Sequence, residues 1–332
     1  MNPSLCPLCP PTVDLVIPMF NEEAAAALFH QQLSEAIAGL PYTFNILYVN
    51  DGSRDQTQAV LEQLVQADAR VRVIELSRNF GHQAALTAGL DRACGDYTIT
   101  LDGDGQHPPA LISEMLALAE QGYDIVLTQR VEEQGLTPFK RLTSALFYRV
   151  INRLGETQIL PGGADFRLMS RVVVEKLRGM REYHRFLRGM VAWMGFKTII
   201  LPFTPPQRLA GASKYSLRKM LRLGMNAIFS FSLMPLYAAV SIGALFLVLA
   251  LIEAVYVLSF WVTGNTAQLA PGWSSLMFML LIIGGSLMVT LGLIGIYIGY
   301  IFQEVKQRPI YLIRKAISQK PPHDENPLDP SA

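Results

Sequence analysis

Two carboxylates separated by one glycine are the residues of this sequence most suited to chemistry. Asp102 and Asp104 flank Gly103 and are followed by Gly105 and Gln106. Such a turn is rich in oxygen atoms, and Mg²⁺ prefers one or two carboxylates together with the phosphates of a substrate. Aspartate and glycine are also common in surface turns. The pair by itself therefore leaves a metal site and an ordinary turn both open.

The segment before these carboxylates predicts a strand. Residues 96–100 (DYTIT) are rich in β-branched and aromatic side chains. Pro108 and Pro109 follow, and they can open a helix but cannot continue a strand. Asp102 and Asp104 are thus expected at the carboxyl end of a strand, which is where open α/β sheets bind ligands.

Strand and helix patterns alternate five times along the first 130 residues. The expected strands are 13–18, 44–49, 71–76, 96–100 and 124–128. This alternation predicts an α/β fold with a doubly wound, mostly parallel sheet. Polar residues follow each of the first four strands, and in a parallel sheet these strand ends converge on one edge. A nucleotide fits such a crevice, although the sequence has neither G-x-G-x-x-G after the first strand nor a P-loop.

The hydrophobic excess of the chain lies in its last third. Hydrophobic residues make up 51% of the sequence, and its net charge of +1 gives no electrostatic reason to expect nucleic acid. Two apolar runs, 234–262 and 276–302, each exceed the roughly 20 residues that cross a bilayer. Before them, residues 216–232 combine apolar positions at helical spacing with Arg218, Lys219 and Arg222, a pattern typical of a helix on an anionic membrane surface.

Lysine and arginine flank the outer ends of the apolar runs, and the connection 263–275 has none. The positive-inside rule then predicts a two-helix transmembrane hairpin with both outer ends in the cytoplasm. The N-terminus shows no basic and apolar pattern of a cleavable signal peptide. The predicted organisation is a catalytic domain (1–215), a juxtamembrane amphipathic helix (216–233), two transmembrane helices (234–262 and 276–302) and a cytoplasmic tail (303–332).

Several motifs carry a family resemblance. Residues 16–23 (VIPMFNEE), 50–53 (NDGS) and 102–106 (DGDGQ) resemble family 2 glycosyltransferases with a GT-A fold. The later motifs 163–168 (GADFRL), 184–189 (HRFLRG), 211–215 (GASKY) and the stretch from 295 to 309 are similar to the bacterial polyisoprenyl-phosphate glycosyltransferases. That group includes the bactoprenol glucosyltransferases and is related to dolichol-phosphate mannose synthase. The resemblance covers about residues 12 to 315.

The resemblance implies an enzyme that transfers a sugar, with inversion, from a nucleotide-sugar donor to a long-chain polyprenyl phosphate. A UDP-linked donor such as UDP-glucose and undecaprenyl phosphate are the expected substrates. The resemblance places the enzyme in the bacterial inner membrane as a multi-pass protein with its catalytic domain in the cytoplasm. It also implies a homo-oligomer, such as a tetramer.

The resemblance assigns roles to three groups of residues. The nucleotide-sugar group is Pro18, Asn21, Glu22, Asp51, Arg78 and Asp102. The metal group, which would hold Mg²⁺ or Mn²⁺ against the donor diphosphate, is Asp102, Asp104 and Gln106. The group for the lipid phosphate and the diphosphate is Arg130, Lys140, Arg141, Ser144 and Arg208. For Asp51, an ordinary helix cap is the competing interpretation.

Asp165 corresponds in the resemblance to the proposed catalytic residue of the family. The acceptor is a phosphate monoester with a second pKa of about 6, so it is largely a dianion near neutral pH and needs little deprotonation. Asp165 is therefore expected to position the sugar or to stabilise positive charge at the anomeric carbon. A general base is the role that this chemistry disfavours.

Two other functions compete with lipid-phosphate transfer. A processive polysaccharide synthase would share the nucleotide half, but the sequence lacks the Gln-x-x-Arg-Trp motif of those enzymes. A non-catalytic scaffold that keeps the GT-A fold would be favoured by loss of the metal carboxylates, and both carboxylates are present.

Overall fold

A computed structural model describes residues 10–131, 163–183, 185–204, 206, 234–264 and 272–319 of the protein. These residues divide into two units. The first unit contains every described strand and the helices among them, and the second contains two long helices near the C-terminus. The first unit holds all the predicted site residues that the structure describes.

Strands and helices alternate through the first part of the chain, as the sequence predicts. The strands β1 to β5 are Thr12–Met19, Thr43–Asn50, Val71–Leu76, Tyr97–Thr100 and Ile125–Arg130. The helices α1 to α4 are Glu23–Ile37, Thr57–Ala67, His82–Leu90 and Ile112–Glu120. Further along come β6 (Gly163–Ser170), α5 (Arg171–Gly179), α6 (Leu187–Trp193), β7 (Thr198–Phe203), α7 (Met234–Val262), α8 (Trp273–Val305) and β8 (Ile313–Ser318).

The eight described strands form one sheet in the order β7-β5-β6-β4-β1-β2-β3-β8. Strands β4, β1, β2 and β3 are parallel neighbours, and β7 is parallel to β5. Strand β6 runs antiparallel to both β4 and β5, and β8 runs antiparallel to β3. The sheet is mixed but mostly parallel, which confirms the α/β class and gives a GT-A-like arrangement.

Strand β6 corrects the sequence analysis, which places a motif and then a helix in this region and no strand. The structure inserts β6 between β4 and β5, with Arg167 opposite Thr100. All residues of β6 after Gly163 are buried, including the charged side chains of Asp165 and Arg167. Alternation of polar and apolar residues marks a strand only when one face meets solvent. A strand buried on both faces with charges inside it shows no such pattern.

Strand β8 shows that the predicted cytoplasmic tail adds to the sheet. It pairs with β3, with Val73 opposite Ile317. The backbone N–H of Ser77 donates to the carbonyl oxygen of Leu312 at 2.8 Å, and the hydroxyl of Tyr311 donates to Asp91 at 2.8 Å. The sheet unit therefore includes residues from both sides of the two long helices in the sequence.

The second unit consists of the helices α7 and α8, which have 29 and 33 residues. At a rise of about 1.5 Å per residue, both are longer than the roughly 30 Å of a bilayer core. Many of their leucine, isoleucine and valine side chains are exposed. Among the described residues, one segment, Ile282–Val305, has the length and composition to cross a membrane, with a mean hydropathy of 2.0.

Candidate active site

The loop that follows β4 carries the paired carboxylates, and a buried histidine holds its start. The backbone N–H of Asp102 donates to Nδ1 of His107 at 2.8 Å. His107 is fully buried and its ring stacks on Phe166 of β6 at a centroid distance of 5.3 Å. Burial lowers the pKa of His107, which fits a neutral ring whose Nδ1 accepts this hydrogen bond. No local sequence pattern marks His107 as a site residue, although it directly follows the motif at 102–106.

The turn itself is closed by its own residues. The backbone N–H of Gln106 donates to Oδ1 of Asp104 at 3.0 Å, and Gly105 has a φ of 81°, in the left-handed region. Gly103 is buried, and a Cβ atom there would collide with the side chain of Met19 at the end of β1. The glycines thus let the loop pass close to β1 while Asp104 and Gln106 stay next to each other.

Asp102 has an oxygen atom available to a further ligand. Among the described residues, the buried Oδ1 accepts no hydrogen bond, and it lies 3.6 Å from Nε2 of His82. A buried carboxylate oxygen that accepts no hydrogen bond is suited to binding a cation. No cluster of three or more histidine, cysteine, aspartate or glutamate residues able to hold a metal occurs in the described part of the chain. The predicted metal group contains two carboxylates and Gln106. It would need fewer protein ligands, because a donor diphosphate would supply the remaining oxygen atoms.

The register of β6 brings Asp165 to the same strand end. Thr100, the last residue of β4, pairs with Arg167. Asp102 lies two residues after Thr100 in the loop, and Asp165 lies two residues before Arg167 in β6. The hydroxyl of Thr100 donates to the carbonyl oxygen of Asp165 at 2.6 Å. An antiparallel strand contributes its starting residues to the edge where parallel strands end, and Asp165 is near the start of β6.

Three cationic side chains surround the carboxylate of Asp165. Arg188 donates twice, from Nε to Oδ1 at 3.0 Å and from Nη2 to Oδ2 at 2.8 Å. Arg167 donates to Oδ1 from within β6, and Nε2 of His82 lies 3.5 Å from Oδ2. Burial of Asp165 opposes ionisation, but Arg188, His82 and Arg167 outweigh it and hold the pKa of Asp165 well below its usual range. Asp165 is therefore a carboxylate at neutral pH.

His82 lies between the two acidic groups. It is the first residue of α3, and its Nε2 is 3.6 Å from Asp102 and 3.5 Å from Asp165. Burial lowers its pKa, but the two carboxylates overcome that effect and raise the pKa of His82 to about 9. His82 is thus an imidazolium that joins the β4 loop to β6. Its position at a helix start was visible in the sequence, but nothing in the sequence paired it with these carboxylates.

Hydrogen bonds join the loop after β1 to the loop after β2. Asn21 has a φ of 52°, and its Oδ1 accepts from the backbone N–H of Arg54 at 2.8 Å. The hydroxyl of Ser53 accepts from the N–H of Asn21 at 3.0 Å, and that of Thr57 accepts from the N–H of Glu22 at 2.9 Å. Pro18 is buried in β1 beside Val49 of β2. The structure thus brings Pro18, Asn21 and Glu22 together at one end of β1.

Asp51 ties the end of β2 to the loop after β3. Its two carboxylate oxygens accept from the backbone N–H groups of Phe80 and Gly81, at 2.7 and 3.0 Å. Burial raises the pKa of Asp51 despite these hydrogen bonds. The side chain of Arg78 is exposed, with its guanidinium 4.0 Å from the centre of the Phe80 ring. Asp51 therefore organises the segment before α3, and it does not cap α2, the helix that follows it.

The structure describes part of the predicted lipid-phosphate group. Arg130 ends β5, and its Nη2 lies 3.4 Å from Nε2 of His107. Lys140, Arg141, Ser144 and Arg208 lie outside the described residues. The described site residues that the sequence analysis missed are His82, His107, Arg167 and Arg188.

Comparisons with known proteins identify the family. The glycosyl transferase family 2 model matches residues 14–178. An uncharacterised glycosyltransferase, YkcC of Bacillus subtilis, is 39% identical over 91% of this chain and 93% of its own length. The chain belongs to glycosyltransferase family 2. This family 2 chain is also 36% identical, over 92% of its length and 98% of the relative, to the SfII prophage-derived bactoprenol glucosyl transferase of Shigella flexneri.

A solved glycosyltransferase structure covers much of this family 2 chain. It is a mannosyltransferase from Pyrobaculum calidifontis in complex with GDP-Man and Mn²⁺, and it is 16% identical to this chain with a TM-score of 0.41. The match covers 86% of this chain and 88% of the mannosyltransferase. The nucleotide sugar and the metal are ligands of that protein.

Proposed function

We propose that this family 2 glycosyltransferase transfers a sugar, with inversion, from a nucleotide-sugar donor to undecaprenyl phosphate at the cytoplasmic face of the bacterial inner membrane. UDP-glucose is the first donor to test. The observation that carries the proposal is the meeting of Asp165 with Asp102 across β4 and β6. The similarity to a bactoprenol glucosyl transferase over nearly the whole chain supports a lipid phosphate as the acceptor.

The charges of the site suit two anionic substrates. Around the end of β4 and the start of β6, the described cationic side chains are His82, Arg130, Arg167 and Arg188, and the described carboxylates are Asp102, Asp104 and Asp165. A donor diphosphate and a lipid phosphate both bring negative charge. Cationic side chains at one strand end lower the cost of bringing these anions together.

In the proposed reaction, an oxygen of the lipid phosphate forms a bond to the anomeric carbon of the sugar. The bond from that carbon to the diphosphate breaks, and the nucleoside diphosphate leaves with the electron pair. The lipid phosphate is mostly a dianion near neutral pH, so no protein base is needed to generate the nucleophile. Asp165 stays ionised and stabilises the positive charge that develops at the anomeric carbon.

A divalent cation fits the same proposal. Asp102, Asp104 and Gln106 would hold Mg²⁺ or Mn²⁺, and the unbonded Oδ1 of Asp102 supports this assignment. When bound, the ion would neutralise charge on the leaving nucleoside diphosphate. Nε2 of His82 lies 3.6 Å from this same Oδ1 of Asp102 and 3.5 Å from Asp165, so His82 links the two carboxylates.

The remaining predicted residues take binding roles in the proposal. Pro18, Asn21, Glu22, Asp51, Arg78 and Asp102 form the nucleotide-sugar group, supported by the loops that interlock at these strand ends. Arg130, Lys140, Arg141, Ser144 and Arg208 form the group for the lipid phosphate and diphosphate. Guanidinium groups suit this role because they match phosphate oxygens in pairs.

We further propose that α7 and α8 form a transmembrane hairpin, preceded by an amphipathic helix at 216–233. The lengths of the two helices and the apolar segment Ile282–Val305 support this arrangement. The sheet unit then works in the cytoplasm, at the face where nucleotide sugars are available. A homo-oligomer of such chains belongs to the same proposal.

The decisive experiment supplies the purified protein with undecaprenyl phosphate and a panel of radiolabelled nucleotide sugars. We expect one donor, with UDP-glucose tried first, to give a labelled lipid that depends on both Mg²⁺ and the lipid phosphate. Label that enters a long polysaccharide would point to the processive synthase. No transfer with any donor, although the protein binds nucleotide, would contradict the proposal.

A further inference from the structure

Arg188 makes the most complete contact with Asp165 of any described residue. Its Nε and Nη2 atoms donate to the two different carboxylate oxygens at 3.0 and 2.8 Å, which is a bidentate fork. Two parallel hydrogen bonds of this kind fix the direction of both planar groups and add charge-assisted strength. The fork therefore sets the orientation of the Asp165 carboxylate as well as its charge.

The other contacts of Asp165 come from the sheet and from His82 at the start of α3, whose Nε2 lies 3.5 Å from Oδ2. Arg167, two residues away, reaches Oδ1 from inside β6, and Thr100 of β4 holds the backbone carbonyl. These contacts fix the backbone and the buried side of the carboxylate. Arg188 approaches from a different element, α6, with 35% of its side chain exposed, whereas Arg167 is 3% exposed. Arg188 thus reaches Asp165 from outside the sheet, as the equally exposed His82 does, and it is the one of the two that forms a fork.

The position of Arg188 is itself built into the fold. The backbone N–H of Leu187, the first residue of α6, donates to the side-chain oxygen of Gln83 at 3.1 Å. Gln83 follows His82 at the start of α3, so one helix start fixes both His82 and the residue before Arg188. Leu187, Gly189 and Met190 are buried, which anchors α6 on either side of Arg188.

We infer that Arg188 is a positioning residue of the transfer reaction: its fork holds Asp165 as an oriented anion facing the anomeric carbon. This inference rests on the proposed function, and it adds a residue that acts through Asp165 without contacting the sugar. A carboxylate buried without such a partner would take up a proton or turn toward another donor. Arg167 contacts only Oδ1 and His82 lies only near Oδ2, so Arg188 is the one described side chain that donates to both oxygens.

The first test compares Arg188→Gln and Arg188→Lys with the wild type. Removing a preorganised charge-stabilising arrangement costs about 10²–10³-fold in rate, and we expect a fall in kcat of about 10²-fold for Arg188→Gln with the donor KM unchanged. Arg188→Lys keeps the charge but loses the fork, so it should recover only part of the rate. A raised donor KM with normal kcat, or full recovery with lysine, would overturn the inference.

The pH profile separates positioning from a general structural effect. Asp165 faces His82, Arg167 and Arg188, and loss of Arg188 removes one of the charges that keep its carboxylate ionised. The rate of Arg188→Gln should therefore fall toward acidic pH at a higher pH than the wild-type rate does. If the rates of the two proteins fell over the same acidic pH range, the inference would be contradicted.

Arg181→Gln is the matched control. Nη1 of Arg181 lies 2.7 Å from Oδ2 of Asp91, with side-chain exposures of 50% and 9%, so the pair resembles Arg188 and Asp165 away from the site. We expect Arg181→Gln to keep the wild-type kcat and to lose rate over the same acidic pH range as the wild type. A loss of kcat in Arg181→Gln as large as that in Arg188→Gln would show that the effect belongs to the fold.

A measurement without substrate keeps the inference distinct from the proposed function. The pKa of Asp165 is depressed in the folded state, so its interaction with Arg188 stabilises the fold above the unfolded pKa of about 3.9 and is lost as pH falls further. The difference in thermal unfolding midpoint between the wild type and Arg188→Gln should be present at pH 7 and shrink below about pH 4. A difference that does not change with pH would refute the ionised pair, even if no lipid acceptor were used by the wild type.

Discussion

At the scale of single residues, the carboxylate of Asp165 is surrounded by positive charge. Arg188, Arg167 and His82 all lie against it, and together they make its ionised form the stable one. A group that must take up a proton during catalysis works best with a pKa near the operating pH. The environment of Asp165 moves its pKa away from that range, in the direction expected of a fixed anion.

Replacing Asp165 with asparagine tests this role directly. We expect Asp165→Asn to lose about 10²–10³-fold in transfer rate, because the amide keeps the shape of the side chain but cannot stabilise positive charge. The rate should be followed from about pH 6 to pH 9, which straddles the second pKa of the lipid phosphate. The deficit should persist across this range while nucleotide without sugar binds as to the wild type.

Two results would contradict that prediction. Recovery of the wild-type rate at high pH would restore a general-base role, because more phosphate dianion would then compensate for the missing base. A normal rate at every pH would remove Asp165 from the site altogether.

The proposed metal group gives a second prediction at this scale. Asp104→Asn should abolish transfer and leave the protein folded, because it removes a carboxylate that would hold the divalent cation, and that cation would neutralise the leaving diphosphate. Transfer by the wild type should likewise stop in EDTA and return with Mg²⁺ or Mn²⁺. Asp124→Asn, just before β5 at the opposite end of that strand from Arg130, is the matched control and should retain activity. Equal rates in EDTA and in excess Mg²⁺ would exclude the metal.

The sequence predicted those residues whose meaning depends on local spacing. Asp102, Asp104 and Asp51 follow recognisable strands, so their place at a strand end could be read from the chain. His82 and Arg188 could not be placed in this way, since their roles depend on contacts across 83 and 23 positions with Asp165. Arg188 lies in a motif that the family resemblance uses, but no local pattern gives it a partner.

At the scale of elements, the loops after β2 and β3 are in backbone contact. Gly52 has a φ of 62°, and a Cβ atom built on it would lie 2.6 Å from the backbone nitrogen of Asn79. Asp51, next to it, holds the N–H groups of Phe80 and Gly81. The glycine is therefore needed for two reasons, its left-handed backbone and the close approach of the second loop.

We expect Gly52→Ala to weaken nucleotide binding and to lower the unfolding midpoint, because the loop of Arg78 must move away. Gly39→Ala is the matched control: Gly39 has a φ of 80°, and its Cβ would meet no atom within 4 Å. A left-handed alanine alone costs about 1–2 kcal/mol, so Gly39→Ala should show that loss with normal binding. Equal losses in both variants, with binding intact, would show that the two loops adapt independently. Isothermal titration with nucleotide and thermal unfolding give the two readouts.

The elements that the sequence predicted are those with ordinary packing. Strands β1 to β5 are runs of apolar, β-branched or aromatic residues bounded by polar residues, and the structure confirms them with small changes in their ends. Strand β6 was missed because Asp165 and Arg167 are buried in it, so its charges conceal a core strand. Asp165 and Arg167, the proposed site residues of β6, are therefore the residues that obscure its strand pattern.

At the scale of the whole molecule, the topology of α7 and α8 remains a prediction from the distribution of lysine and arginine. A cysteine introduced at position 265, outside the described residues, should react with an impermeant maleimide from outside the cell. A cysteine at position 331, also outside them, should react only after the membrane is opened. The three native cysteines, Cys6, Cys9 and Cys94, must first be replaced. The reverse labelling pattern would contradict the hairpin.

Strand β8 gives a prediction about how the molecule holds together. Ile317 packs partly against the core, whereas Leu312 is 54% exposed. Ile317→Asp should lower the free energy of unfolding of the sheet unit by about 1–3 kcal/mol, because a charge enters a partly buried position. Leu312→Asp should have little effect and serves as the control. Unchanged thermal unfolding in Ile317→Asp would mean that β8 contributes nothing to stability.

The antiparallel pairing of β8 with β3 also fixes an order of events during synthesis. Glu75 and Arg314 form an ion pair across 239 positions, so the ribosome must make α7 and α8 before the sheet gains its last strand. At about 5–20 residues per second, β3 waits roughly ten to fifty seconds with an unpaired edge. An open edge strand can pair with another chain. A nascent chain of this protein therefore carries an open sheet edge until β8 has left the ribosome, and dilution or a chaperone would limit its pairing with other chains in that period.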